Sequence, residues 1–330
     1  MPELLQRWKR RSLTVPLMFI GAAVVLSAWP LWIMLGLFWD VASGRLRKLS
    51  ATRVALLLPC TLLIECVGLV ALGLVFVFTL GAPTRRASAT WRVQQTYTRA
   101  HLFAVSRAFS LRFEVEGDAL AAEGPLLVFI RHASLLDVLL PGAFLAAKHN
   151  LHLRYVLKRE LLMEPCLDIA GHWLPNHFVA RDGADTAREL SAIRALAEGM
   201  QRNDGVLLYP EGTFFSEAKR ERAIAQASDA DARAHAESLT HLLPCRPGGA
   251  NTLLDAAPNA DVLFVGHVGF DGLRTVSQIA RGDLVGRTIR LRYWRVLASQ
   301  IPRDAAARTD WLRAQWLMID AWVNENISQP

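Results

Sequence analysis

The chain has 330 residues, 52% hydrophobic and 20% charged, with a formal net charge of +7 at pH 7. That balance excludes a disordered chain, and the positive mean hydropathy, +0.22, is high for a wholly water-soluble protein. The pI of about 9.6 suits nucleic acid, anionic lipid or acidic substrates and does not choose among them.

Two long apolar runs open the chain, Val15–Trp39 and Val54–Leu80. Each is about 25 residues, and about 20 suffice to cross a bilayer as a helix. Arg7, Lys9, Arg10 and Arg11 precede the first run, as in a secretory signal. The run is too long for one, no small-residue cleavage site follows, and a second apolar run comes soon after. Residues 1–90 are therefore expected to form a membrane-anchoring helical hairpin. Arg45, Arg47, Lys48 and Arg53 lie between the runs, and Arg85, Arg86, Arg92 and Arg99 follow them. All flanks are basic, so the positive-inside rule gives no orientation. A hairpin that spans twice puts one basic loop on the wrong side. One that dips into a single leaflet keeps every basic flank on one face. Glu65, in mid-run, reads either as a functional carboxylate or as a protonated or helix-paired residue.

From about Thr90 the pattern is α/β, and residues 91–330 are expected to form one domain, a central sheet flanked by helices. Trp91–Arg112 has helical spacing and suits a membrane surface. Short β-like runs recur at Leu126–Ile130, Leu151–Leu157, Val206–Tyr209, Val262–Val268 and Ile289–Val296. Helical stretches separate them, among them Ala187–Met200 and Trp311–Asn324. Ser216–Ala236 reads as a charged, helical, exposed insertion. Cys60, Cys66, Cys166 and Cys245 form no C-x-x-C pair, so no metal site or disulfide framework is expected. The glycine-rich phosphate loops and the G-x-S-x-G elbow are absent, and no nucleic-acid module is recognisable.

The stretch "FIRHASLLDVLLPG", residues 129–142, sets Arg131 and His132 between two apolar runs. Leu126–Ile130 reads as a buried strand and Leu135–Leu140 as the start of a helix, which Pro141 ends or kinks. Residues five apart on one helix point about 140° from each other. His132 and Asp137 can therefore meet only if the histidine lies before the helix. A carboxylate on one ring nitrogen then fixes the tautomer, and the other nitrogen is a competent base for an alcohol. The bland alternative is that Asp137 merely caps, three residues after Ser134. A second H-x-x-x-x-D, His177 to Asp182, occurs in "NHFVARD". Farther on, "LLYPEGTFFS" places Glu211, Gly212 and Thr213 at a strand end, where α/β sheets bind ligands. By itself it could be an ordinary turn.

Together these stretches resemble the glycerolipid (PlsC-like) acyltransferase family. Arg131-His-Ala-Ser-Leu-Leu-Asp137 is similar to the family's Asn-His-x-Ser-x-x-Asp, and Tyr209-Pro-Glu-Gly-Thr-Phe-Phe-Ser216 to its Phe-Pro-Glu-Gly-Thr-Arg-Ser. Phe178–Arg181 resembles the intervening motif that ends in arginine, and residues 155–165 the Lys-x-Glu-Leu segment. About 80 residues separate His132 from Glu211, as the family requires, while His177 lies too close. The charged stretch after Thr213, followed by Arg246-Pro-Gly-Gly249, resembles the branch that acylates lysophosphatidylinositol and lysocardiolipin-like acceptors. Arg131 stands where the family has asparagine, Phe214 where many members have arginine, and Leu263–Val268 lacks the proline of the final motif.

The resemblance implies a membrane-bound acyltransferase that moves a fatty acyl group from acyl-CoA or acyl-carrier protein to the hydroxyl of a lysophospholipid or lysophosphatidic acid. His132 and Asp137 would be the catalytic pair. Glu211, Gly212 and Thr213 would shape the acceptor site, with Arg181 and Arg246 on its phosphate. The implied partners are the bilayer, the lysolipid acceptor and the thioester donor, with no metal, no further cofactor and no nucleic acid. The expected location is a bacterial inner membrane, with the catalytic domain on the cytoplasmic face. A lipid-binding protein without turnover and a lipid ester or thioester hydrolase are the alternatives.

Overall fold

The computed structural model describes residues 2–179 and 186–327. The fold is mixed α/β. Its strands are β1 (Arg112–Glu116), β2 (Leu126–Ile130), β3 (His152–Lys158), β4 (His177–Val179), β5 (Asp204–Leu208), β6 (Asp261–Val268) and β7 (Thr288–Val296). The chain divides into two compact units. One comprises Met1–Leu111, Leu157–Asp182 and Val276–Gly286, and the other Arg112–Val156, Gly183–Thr275 and Arg287–Pro330.

The first unit is built on four long helices, α1 (Pro2–Ser27), α2 (Trp29–Ala42), α3 (Ser50–Phe78) and α4 (Pro83–Phe109). The expected single helix over Val15–Trp39 is thus two, parted at Ala28. Pro30 has no N–H for the carbonyl four residues back, and its ring crowds that carbonyl. The fourteen residues of α2 reach only about 21 Å, short of the roughly 30 Å hydrocarbon core. α2 and α3 approach closely at Gly36, where a Cβ would lie 2.9 Å from Thr52 Cα. Asp40, on α2, then caps α3 by accepting from Ala51 N at 3.0 Å and Thr52 N at 2.9 Å. Most exposed large apolar side chains of the chain lie in these first three helices. α4 runs antiparallel along α3. Arg53 donates to the carbonyl of Ala108, Gly68 abuts Tyr97, and the Arg86 guanidinium sits 5.3 Å from the centre of the Phe76 ring. Helix Pro165–Trp173 completes the unit, packing Cys166 and Ala170 on Leu69 and Leu72.

The strands of the second unit run in the order β1-β7-β6-β2-β5-β3. β2 lies between β5 and β6 and is parallel to both. All five of its residues are buried, which is why it reads as an unbroken apolar run. β7 is antiparallel to β6 and buries alternate residues, Ile289, Leu291 and Tyr293. Phe129, Val206 and Phe264 of the sheet pack against Leu253, Leu312 and Trp316 of the helices Pro247–Ala256 and Ala305–Asn326. β1 and β4 were not expected. β1 is a five-residue edge strand with alternating charges, and β4 has three residues, too few to show a period.

Two local expectations change. The insertion is two helices, Glu217–Ala225 and Ala230–Ser238, because Asp229 starts a new one by accepting from Ala232 N at 2.7 Å. The helix after Asp137 begins only at Leu139 and runs through Pro141 into a wide turn over Gly142–Ala146. Pro141 neither ends nor kinks it, because the first-turn N–H groups have no intrahelical partner to lose.

Candidate active site

β2 delivers the site. Its ladder ends with Arg131 N donating to Val265 O at 3.1 Å, after which the chain turns away from the sheet. Residues 132–136 form a tight turn held from within by Asp137. One carboxylate oxygen accepts from Ala133 N at 2.6 Å and Ser134 N at 2.8 Å, and the other lies 2.9 Å from His132 Nδ1. Asp137 therefore both caps the turn and orients the ring. Its side chain is fully buried. An ionised carboxylate only accepts, so this contact favours the tautomer with the proton on Nδ1 and the lone pair on Nε2. The His132 ring is flanked by Tyr209, centroids 4.4 Å apart, and by Phe214, edge-on at 5.3 Å. Burial, then the nearby Asp137 charge, push the Tyr209 hydroxyl well above its ordinary value, so it stays neutral.

Arg131 points away from this site. It is 1% exposed, and its guanidinium donates to His267 O and to Asp271, both at 2.6 Å. In return His267 Nε2 lies 3.0 Å from Arg131 O. The arginine thus locks the end of β2 to the end of β6. Sequence reasoning noted Arg131 as a departure and missed this role, since neither His267 nor Asp271 is near it in the chain. Burial keeps the His267 imidazole below its usual value, hence neutral beside the guanidinium.

The Tyr209–Ser216 segment is tied to the histidine by its backbone. Glu211 is 2% exposed; one oxygen accepts from His132 N at 2.8 Å and the other from Leu243 N at 2.9 Å. Phe215 N donates to His132 O at 2.9 Å. Glu211 therefore shapes the site as a brace between three segments. Burial pushes its carboxyl up to about 8, against the pull of the two N–H groups. Gly212 adopts φ +71°, open to glycine at little cost. A Cβ there would lie 3.1 Å from Arg246 Nε, so the exposed Arg246 guanidinium covers the turn. Among the described residues that guanidinium has no hydrogen-bond partner. Thr213 accepts from Lys219 Nζ at 2.8 Å, and Lys219 also sits over the Phe214 ring. The structure brings His132, Asp137, Glu211, Gly212, Thr213 and Arg246 into one unit. Arg181 lies outside the described residues, as does Asp182, the partner of the rival motif. The carboxylates of Asp137 and Glu211 are thus committed to backbone N–H groups and to His132.

Residues 112–265, a little under half of the chain, match the family model described as Acyltransferase. The stretch contains the His132–Asp137 pair, the Glu211 turn and Arg246. Among solved structures, the 1-acyl-sn-glycerophosphate (LPA) acyltransferase PlsC from Thermotoga maritima is similar at 16% identity. The likeness covers 84% of this chain and 99% of that one, with a TM-score of 0.52, and shows that the fold is shared. No curated protein matches the chain.

Proposed function

We propose that the protein transfers a fatty acyl group from an acyl-CoA or acyl-carrier-protein thioester to the hydroxyl of a phosphate-bearing lysolipid, a reading supported by the match of residues 112–265 to the Acyltransferase family model. The observation that carries this reading is the 2.9 Å contact of His132 Nδ1 with buried Asp137, which leaves Nε2 as a fixed base. His132 takes the hydroxyl proton as the acceptor oxygen attacks the thioester carbonyl. The tetrahedral adduct collapses, the C–S bond breaks, and the imidazolium returns the proton to the leaving thiolate. Asp137 holds the ring and stabilises its charged form. The acyl group passes directly to the acceptor.

Arg246, unpaired and over the Gly212 turn, is the residue for the acceptor phosphate, together with Arg181; a guanidinium fork matches it. The segment Arg246–Gly249 favours lysophosphatidylinositol or lysocardiolipin-like acceptors, by resemblance to that branch.

Residues 1–90 serve as the anchor. The support for a dip into one leaflet, rather than two crossings, is the helix beside α3. α4 carries Arg85, Arg86, Arg92, Arg99 and Arg107 over its whole length and follows α3 throughout, so α3 is not a solitary span. All the basic flanks then face one surface, which is proposed to be the cytoplasmic face of a bacterial inner membrane.

The test is acyl transfer by purified, detergent-solubilised protein, offered labelled acyl-CoA or acyl-carrier protein and a panel of lysophospholipids. Labelled diacyl product, lost in His132→Ala and kept in His177→Ala, is expected. Labelled free fatty acid without diacyl lipid would mean a hydrolase. Lipid binding without turnover of either donor would mean a binding protein.

A further inference from the structure

In the first unit, away from the chemistry above, five titratable side chains from three segments meet in the interior. Glu65 comes from α3, Tyr97 and His101 from α4, and Glu164 and Cys166 from the start of helix Pro165–Trp173. Single ligand atoms of Glu65, Glu164 and Cys166 all lie within 4.8 Å of one another. His101 Nε2 is 3.3 Å from Glu65 Oε1, and its side chain is 9% exposed.

The bonding around this group is incomplete. Glu164 accepts from Cys166 N at 2.8 Å and Leu167 N at 2.5 Å. Glu65 Oε1 accepts from the Tyr97 hydroxyl. Yet Glu65 Oε2 and His101 Nε2 are buried atoms with no hydrogen-bond partner. Unmatched polar atoms in an interior are uncommon and costly. Here the orphan acceptor belongs to a carboxylate that has Glu164 and the Cys166 thiol within 4.8 Å and the His101 nitrogen 3.3 Å away.

We propose that Glu65, Glu164, Cys166 and His101 bind a zinc ion that pins α3 and α4 to helix Pro165–Trp173. Thiolate and imidazole ligands select zinc over magnesium or calcium, and four such ligands suit a tetrahedral structural site. Ligand atoms around tetrahedral zinc stand roughly 3.3–3.8 Å apart, so binding draws Glu65, Glu164 and Cys166 together by about 1 Å, while His101 Nε2 already stands 3.3 Å from Glu65. The Cys166 thiol, 3.4 Å from Glu65 O, gives up its proton to solvent and becomes the thiolate ligand. Tyr97 is the outer partner that orients Glu65. The site is independent of the acyl-transfer reading, since none of its residues belongs to the catalytic unit.

The experiment uses the full chain in detergent. Zinc is titrated against a chromophoric chelator, and cobalt(II) is added in parallel as a spectroscopic probe. One zinc per chain is expected, with a thiolate-to-cobalt charge-transfer band. Cys166→Ser should lose that band and bind zinc at least tenfold more weakly, while Cys66→Ser keeps both. Tyr97→Phe, which leaves every ligand in place, should weaken zinc roughly 10–100-fold, with circular dichroism reporting that the helices persist. Failure of the folded wild type to take up zinc overturns the proposal, as does a charge-transfer band that survives in Cys166→Ser. Either result would leave Glu65 and Glu164 as a carboxyl pair sharing a proton.

Discussion

Two buried carboxylate clusters, one in each unit, are satisfied to different degrees. In the second unit every oxygen of Asp137 and Glu211 has a donor, from a backbone N–H or from His132. In the helical unit Glu65 Oε2 and the nearby His101 Nε2 have none. A saturated set holds its geometry without help, as a proton-transfer site requires, because little reorganisation is left to do during the reaction. An unsaturated set holds a shape for something else. The contrast separates a site complete in itself from one completed by a ligand.

Asp137→Asn should break the catalytic side of this contrast most severely. Its amide oxygen must serve Ala133 and Ser134, which turns the NH2 toward His132 Nδ1. The ring then moves its proton to Nε2 and can no longer accept one. Acyl transfer should fall about 10²–10⁴-fold with the fold intact, as steady-state rates and a thermal melt would show. A rate within tenfold of wild type would remove the carboxylate from the mechanism.

Glu211→Gln tests the brace. An amide can accept from only one of His132 N and Leu243 N, and its own NH2 faces the other. The expected cost is about 1–3 kcal/mol of stability, read from denaturant unfolding, with a lower kcat because His132 is released. Unchanged stability would mean that the brace is dispensable.

Arg246→Ala sharpens the division between chemistry and binding. A residue that holds acceptor phosphate contributes binding that is equal in ground and transition states, so KM should rise about tenfold with kcat kept. The same change with a phosphate-free lysolipid should do nothing. An equal rise for both acceptors would assign Arg246 to the loop rather than to phosphate.

Asp168, like Asp40, is a saturated carboxylate inside the helical unit. It takes hydrogen bonds from Arg10 at 2.8 Å and Arg11 at 3.0 Å, and lies 2.9 Å from His172 Nδ1. Burial alone would raise its carboxyl, but the bonds from His172, Arg10 and Arg11 outweigh this and hold it well below the usual range. A depressed folded value means stability that is complete above the unfolded pKa, about 4, and is lost as pH falls through the folded value. Asp168→Asn should flatten that acid limb of the unfolding curve and cost about 1 kcal/mol at neutral pH, since both arginines are partly exposed.

What could be read in advance follows the range of each interaction. The five apolar strands are visible because burial on both faces demands continuous or alternating apolar residues, and β2 is found to the residue at Leu126–Ile130. β1 stays hidden because its alternation has only two apolar members, Phe113 and Val115, too few to stand out as a strand. The His132–Asp137 pair is local, closed within one turn, so its spacing is legible. The partners of Glu211 and Arg131 are not, since Leu243, His267 and Asp271 reach them only across the sheet.

By itself the sequence determined an apolar N-terminal quarter, an α/β remainder and the histidine–aspartate pair, because composition, period and a five-residue turn are properties of the chain alone. Only the tertiary structure decided that Asp137 caps and orients at once, that Glu211 is a brace, that Arg131 is a lock, and that Glu65 meets Glu164, His101 and Cys166. Each of those depends on which backbone N–H or buried side chain arrives from a distant segment. Burial gives such meetings their energy, and no spacing in a linear chain records it.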